Sequence, residues 1–269
     1  MTDQLRGKTA LVTGASSGIG AAFARQLAAR GAALVIVARR QTELDALAAR
    51  LRADHGVTVE VIALDLGTAT AAGELYARTE GAGRPIDVVI NNAGFGDHRY
   101  FVDQSWDRVA AMLQLNIATL TELTHRFGRA MAARGRGHLL NVASVGAYTP
   151  SPSYAVYAAT KAYVRDFTEA VAFELAPRGV RVCSLCPGLT ATEFQAVAGQ
   201  EMNGLLKLAS MSADRCAAIG VRSLFGWRRN VVTGWSNKLS MWMLRFVPRR
   251  MMVWIAAKTM GRPHLPPAT

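Results

Sequence analysis

The sequence predicts a doubly wound α/β fold: a seven-stranded parallel sheet with helices on both faces, three layers in one domain spanning residues 1 to 269. Three observations predict it. Short apolar runs alternate with longer amphipathic segments along the whole chain. The runs are nearly continuous in Val, Ile and Leu, the pattern of strands buried on both faces. A glycine-rich turn separates the first run from the segment that follows it.

The elements follow in order. Thr9 to Val12, Ala33 to Ala38, Val57 to Leu64, Ile86 to Asn91, His138 to Val142, Val180 to Cys186 and Asn230 to Trp235 read as the seven strands. Gly20 to Arg30, Gln41 to Arg52, Trp106 to Arg134 and Tyr154 to Ala176 carry apolar residues at helical spacing. Arg30-Gly31 and Arg134-Gly135 put a basic residue in a last turn and glycine beyond it, and Ser105 sits where an N-cap belongs. Ligands of such sheets lie beyond the carboxyl ends of the strands, so chemistry is sought just after each strand. Residues 190 to 226 read as a substrate lid region, and 236 to 269 as a C-terminal amphipathic extension.

Composition bounds the function. Hydrophobic residues make up 51% and charged residues 19%, which suits a large buried core and argues against disorder. The formal charge of +12 is unevenly placed: residues 202 to 269 hold eleven Lys or Arg and one acid, Asp214. That asymmetry points to an anionic contact such as phosphates, acyl-carrier substrates or lipid head groups, or to a charge that serves only solubility. Cys183, Cys186 and Cys216 make no disulfide framework, which fits a reducing compartment. Cys183 and Cys186 are three apart on a strand and face opposite sides, which argues against a metal site there; no metal is expected. No basic stretch leads into an apolar run at the N-terminus, and Arg245, Pro248, Arg249 and Arg250 interrupt the richest apolar segment. The expectation is a cytoplasmic protein.

After the first strand comes Thr13-Gly14-Ala15-Ser16-Ser17-Gly18-Ile19-Gly20, leading into a helix. Glycines let the backbone turn tightly and approach a pyrophosphate, which the free N–H groups at the helix start favour. Four further signatures follow in order: Asp65 (with Leu66) ending strand three; Asn91-Asn92-Ala93-Gly94 ending strand four; Asn116, Ser144, Tyr157 and Lys161; and Pro187-Gly188 with Thr190 and Thr192. Together they resemble the short-chain dehydrogenase/reductase family over residues 7 to about 235. The resemblance implies a Rossmann-type fold and a nicotinamide cofactor. It implies that Gly14, Ser16, Ser17, Gly18, Ile19 and Gly20 hold the phosphates and that Asp65 and Leu66 border the adenine. Asn92, Ala93 and Gly94 would border the cofactor, and Pro187, Gly188, Thr190 and Thr192 would line the nicotinamide. Asn116, Ser144, Tyr157 and Lys161 match the catalytic tetrad, in which the serine fixes the substrate oxygen, tyrosine exchanges the proton, lysine grips the ribose and asparagine bends its helix and holds a water.

Elementary physics bears on these roles. Tyr157 and Lys161 are four apart on a predicted helix and share a face. With an ammonium about 6 Å from the phenol oxygen and an effective dielectric near 20, the attraction for a phenolate is roughly 2.8 kcal/mol, about two pKa units. The expectation is a tyrosine brought toward neutrality.

Strand two ends in Arg39-Arg40 with no acid before Glu43, so NADP(H) is preferred over NAD(H), although the glycine loop lacks the second basic residue of many NADP-dependent relatives. Phe194, Met202, Leu205, Leu206, Leu208 and Met211 give the lid an apolar surface, and Phe95 and Tyr148 are expected at the same substrate pocket as Ser144. A hydrophobic ketone or alcohol is favoured. The alternatives are a 3-oxoacyl thioester reductase and a non-catalytic cofactor-binding regulator. The resemblance also implies a homodimer or homotetramer on the helices carrying Asn116 and Tyr157. Trp and Met interleaved with Lys and Arg in the extension suit peripheral membrane contact, a subunit or substrate-entrance role, or plain core, while no nucleic-acid module is recognisable.

Overall fold

The structure, a computed structural model, describes residues 5–200 and 210–260. Its first half alternates strictly: β1 (Thr9–Thr13), α1 (Gly18–Ala28), β2 (Ala33–Ala38), α2 (Gln41–His55), β3 (Val59–Ala63), α3 (Ala71–Arg78) and β4 (Val88–Asn91). Then come α4 (Trp106–Leu113), α5 (Leu120–Arg134), β5 (Gly137–Val142), α6 (Ala155–Leu175) and β6 (Val180–Cys186). The remaining elements are β7 (Thr190–Ala191), α7 (Phe194–Ala198), β8 (Met211–Ser212), α8 (Ala213–Leu224), β9 (Asn230–Val232), α9 (Trp235–Met243) and α10 (Arg249–Met260).

Seven strands form one parallel sheet in the order β3-β2-β1-β4-β5-β6-β9. The order reverses between β1 and β4, which opens a crevice beyond the strand ends. One face is covered by α1, α2 and α8, with Phe23, Leu27, Leu44 and Leu224 in its core; the other by α3, α5 and α6, with Phe127, Leu75 and Met131. Burial on both sides explains why the centres of β1 (Ala10, Leu11, Val12), β4 (Val88, Val89, Ile90) and β5 (Leu139, Leu140) are apolar without polar alternation.

Most of the predicted boundaries lie within two residues of the observed ones, and two predicted caps are present. Ser105 accepts from the Arg108 N–H at 3.4 Å at the start of α4, and Gly135, at φ 70°, closes α5. Three findings differ from expectation. The predicted helix from Trp106 to Arg134 is two helices joined by a π-helical turn, Gln114–Thr119. Within the lid region, Ala213–Leu224 is a layer helix packed on α1, capped by Ser212 accepting from the Arg215 N–H. The last strand stops at Val232, because Thr233 and Gly234 (φ 81°) turn the chain into α9. Met202, Leu205, Leu206 and Leu208 lie outside the described residues. Among the described residues, no helix is long and apolar enough to cross a membrane.

Candidate active site

The carboxyl ends of β1, β2, β4, β5 and β6 open onto one cleft of about 650 Å³. At its first end, the turn after β1 is held from below by Thr13. Its hydroxyl donates to the Ile90 carbonyl at 3.3 Å and accepts from the N–H groups of Asn92 and Ala93, both at 3.0 Å. The Asn92 side-chain amide donates to the carbonyls of Thr13 and Gly14. Two glycines are obligatory in this turn. Gly14 has φ 66°, and a Cβ on Gly20 would stand 2.1 Å from the Gly14 oxygen.

This turn fits a pyrophosphate. Helix α1 begins at Gly18 without a side-chain cap, and Ser16, Ser17, Gly18 and Ile19 all line the cleft, so an anion there would meet unclaimed first-turn N–H groups. Thr192 stands opposite, its methyl 3.1 Å from where a Cβ on Gly18 would lie. Arg39 and Arg40 follow β2 on the same wall. Arg40 donates to Ser16 Oγ at 3.2 Å and to Glu193 Oε2 at 3.0 Å, whereas Arg39 has no hydrogen-bond or ion-pair partner among the described residues. Asp65 and Leu66 border the cleft, with Asp65 accepting from the Gly67 N–H at 2.9 Å.

The far end holds Ser144, Tyr157 and Lys161, brought together from β5 and α6. Lys161 is 4% exposed, and its ammonium donates to the Val142 carbonyl at 2.8 Å, 5.9 Å from the centre of the Tyr157 ring. Burial lowers its pKa to about 8. The Tyr157 ring lies between Tyr154 and Phe194, with centroids 5.7 and 5.3 Å away. Burial pushes its phenol up to about 12, with the hydrogen bond to Ser144 working the other way. This direction is opposite to the one expected from the charge of Lys161 alone. Desolvation penalises both charged forms here, and the ammonium donates to the Val142 carbonyl. Ser144 Oγ itself accepts from the Gly146 N–H at 3.1 Å.

Asn116 is fully buried in the π-helical turn, behind the cleft wall. Its amide donates to the Phe95 carbonyl at 2.9 Å and to Thr160 Oγ1 at 3.1 Å, and its oxygen accepts from the Phe95 N–H. A Cβ on Gly94 would stand 2.8 Å from that oxygen and 3.4 Å from Lys161 Nζ, so only glycine allows strand, asparagine and lysine to converge.

Of the other expected residues, Ala93, Gly94, Phe95, Pro187, Gly188, Thr190, Thr192 and Phe194 line the cleft; Gly20 lies inside the turn and shapes it. Tyr148 is a correction. Its hydroxyl accepts from Asn230 at 2.9 Å and its ring lies under Arg165, against the core by Cys186, because the short turn after Ser144 carries it away from the cleft. Cys183 faces Ser223 on α8 and Cys186 packs with Leu120 and Val164, so the two thiols occupy opposite sheet faces as expected. Sequence reasoning missed Thr13, Thr160, Tyr154 and Gln200. Thr13 stood within the glycine-turn motif and was legible as its anchor. The Tyr154 hydroxyl donates to Gln200 at 3.0 Å across the cleft mouth, a contact between distant segments that no local pattern announces.

Comparison with known proteins agrees with this geometry. Residues 8–203 match the short chain dehydrogenase family. The chain is 32% identical over 236 residues to the 7beta-hydroxysteroid dehydrogenase of Collinsella aerofaciens, covering 86% of this chain and 88% of that one. Among solved structures it is similar to a short-chain dehydrogenase from Sphingobium yanoikuyae in complex with NADPH (31% identity, TM-score 0.80, 90% and 96% of the two chains). It is also similar to the bulky-bulky ketone specific alcohol dehydrogenase of Comamonas testosteroni (29% identity, TM-score 0.76, 89% and 92%). A Rossmann-type sheet with a dinucleotide-shaped cleft, matched over most of its length by these enzymes, makes this chain a member of the short-chain dehydrogenase/reductase family, a nicotinamide-dependent oxidoreductase acting on C=O and CH–OH groups.

Proposed function

We propose that the chain is an NADP(H)-dependent reductase of bulky, hydrophobic carbonyl compounds, working in reverse on the corresponding alcohols. The observation that carries the reading is one cleft with Arg39 and Arg40 at one end and Ser144, Tyr157 and Lys161 at the other. The turn from Gly14 to Gly20 would hold the pyrophosphate, the two arginines the 2′-phosphate, and Lys161 the nicotinamide ribose. The cofactor supplies or accepts the hydride when bound.

Tyr157 is the proton donor. A phenol held near 12 keeps its proton at neutral pH, which suits the reductive direction. Ser144 orients the substrate oxygen beside it. Lys161, held near 8, remains mostly cationic at neutral pH and lends its charge to that end of the cleft. Asn116 is a positioning residue that fixes the Gly94-Phe95 wall. Phe95, Tyr154, Phe194 and Val197 give the substrate end an apolar lining, which supports a hydrophobic substrate, as do the steroid and bulky-ketone names of the two relatives. Exposed Phe173 and Tyr163 on α6 support a dimer across that helix, and three buried free thiols suit the cytoplasm.

Tyr157→Phe lowers turnover at least about 100-fold while NADPH still binds. Near-normal activity in that variant removes the mechanism, and absence of any activity in the parent protein favours the non-catalytic regulator. Rates with NADPH are compared for bulky cyclic ketones and acetoacetyl-CoA; a clear preference for the thioester replaces the ketone reading with that of a 3-oxoacyl reductase.

A further inference from the structure

The C-terminal helices carry an apolar face that the fold leaves open to solvent. On α9, Trp235, Leu239 and Trp242 follow one another at i, i+4 and i+7, one stripe of a helix, and they are 78%, 42% and 55% exposed. Helix spacing would ordinarily turn such a stripe toward a core. Phe246, 72% exposed, extends it and packs edge-on against Trp242 at 5.1 Å. On α10, Met251 and Trp254 are 54% and 60% exposed on the face that also carries Lys258, whose ammonium lies 4.1 Å over the Trp254 ring.

The same two helices and the turn between them carry Lys238, Arg245, Arg249, Arg250 and Lys258, all exposed, and the sequence holds no Asp or Glu after Asp214. Large aromatic rings beside cations, on helices too short to span, are what a lipid interface accommodates: the rings enter the head-group layer and the cations meet lipid phosphates. A second copy of this face would bring like charges together, which disfavours self-association through it. It differs from the α6 face, where exposed Phe173 lies under Arg229 with Glu169 and Glu174 on the same helix.

We propose that α9 and α10 form a docking surface for the head-group layer of an anionic membrane. The surface adjoins the cleft. The Asn237 side chain of α9 packs so closely on Gly188 that a Cβ there would stand 2.0 Å from its amide nitrogen. Asn237 lies on the side of α9 opposite the tryptophan stripe, so α9 stands between the cleft and the docked layer, whichever substrate the enzyme takes.

Sedimentation of the full chain with vesicles tests this. The protein pellets with phosphatidylglycerol/phosphatidylcholine vesicles at low salt, at least about tenfold more strongly than with phosphatidylcholine alone, and 0.5 M salt releases it. Its tryptophan emission shifts to the blue on binding. The triple variant Arg245→Glu, Arg249→Glu, Arg250→Glu loses vesicle binding but keeps its NADPH affinity and melting temperature. A milder pair, Trp242→Ser and Trp254→Ser, weakens it about tenfold at unchanged charge. No pelleting at low salt, equal binding to uncharged vesicles, or a concentration-dependent oligomer that dissolves in the tryptophan variants overturns the proposal; the last assigns the face to a second copy instead.

Discussion

At the scale of single residues, the two arginines after β2 are unequally free to meet the 2′-phosphate proposed for them. Arg40 is already committed to Ser16 and Glu193, whereas Arg39 has no partner among the described residues. Exposed pairs of this kind hold little energy, yet a phosphate arriving at Arg40 must displace a carboxylate. Arg39→Ala is therefore expected to weaken NADPH binding about tenfold or more and to leave NADH nearly unchanged, with Arg40→Ala the milder of the two. Titration of nicotinamide fluorescence checks this; equal losses for both cofactors would remove Arg39 from phosphate recognition. The same scale explains why spacing and burial act on Tyr157 in opposite directions. Spacing placed an ammonium one helical turn away and charge arithmetic lowered the phenol, but both groups are taken out of water together, and desolvation acts on the phenolate with the opposite sign.

At the scale of elements, the position of α8 settles how the sheet is covered beside the glycine turn. Gly220 lets α8 approach α1, since a Cβ there would meet the Phe23 ring at 2.5 Å and Leu185 at 3.1 Å. Gly220→Val is expected to cost about 1–3 kcal/mol through overpacking, despite valine's better helix propensity. Urea denaturation measures it, and a variant as stable as the parent would show that the contact yields freely. Because α1 carries the phosphate turn, cofactor binding is expected to weaken together with stability. The π-helical turn at Gln114–Thr119 is the other element with a functional consequence. It places Asn116 where one amide meets both Phe95 and Thr160.

At the scale of the whole molecule, stability at alkaline pH follows from what the fold buries. The Cys186 and Cys216 thiols are pushed up to about 12 from an ordinary 9.0 by burial, Tyr157 up to about 12 from 10.0, and Tyr148 and Tyr154 are raised for the same reason. Each keeps its proton in the folded state when the unfolded chain has released it. Their contribution is present below the unfolded value and is lost as pH rises from about 9 toward 12. Lys161 acts oppositely: its pKa is depressed to about 8 from 10.5, so folding gains between those values. The Cys183 thiol is raised by burial as well, so six groups oppose one, and the melting temperature is expected to hold or rise slightly from pH 7 to 9 and then fall. Scanning calorimetry that finds no decline between pH 9 and 11 would contradict the buried assignment of these groups.

The sequence by itself determined the layer order, the strands, the glycine turn and the residues that meet at the cleft, because each is written in local periodicity or in a motif whose spacing is its mechanism. It also showed that the charge lies at the C-terminal end. Tertiary structure alone decided that Tyr148 turns to Asn230 and away from the cleft, that Ala213–Leu224 covers the sheet, that Arg40 is held by Glu193, and that the tryptophans of α9 face outward. Each of these depends on which distant segment fills the space beside a side chain. Burial sets both the packing and the proton affinity of a group, and a linear pattern does not contain it.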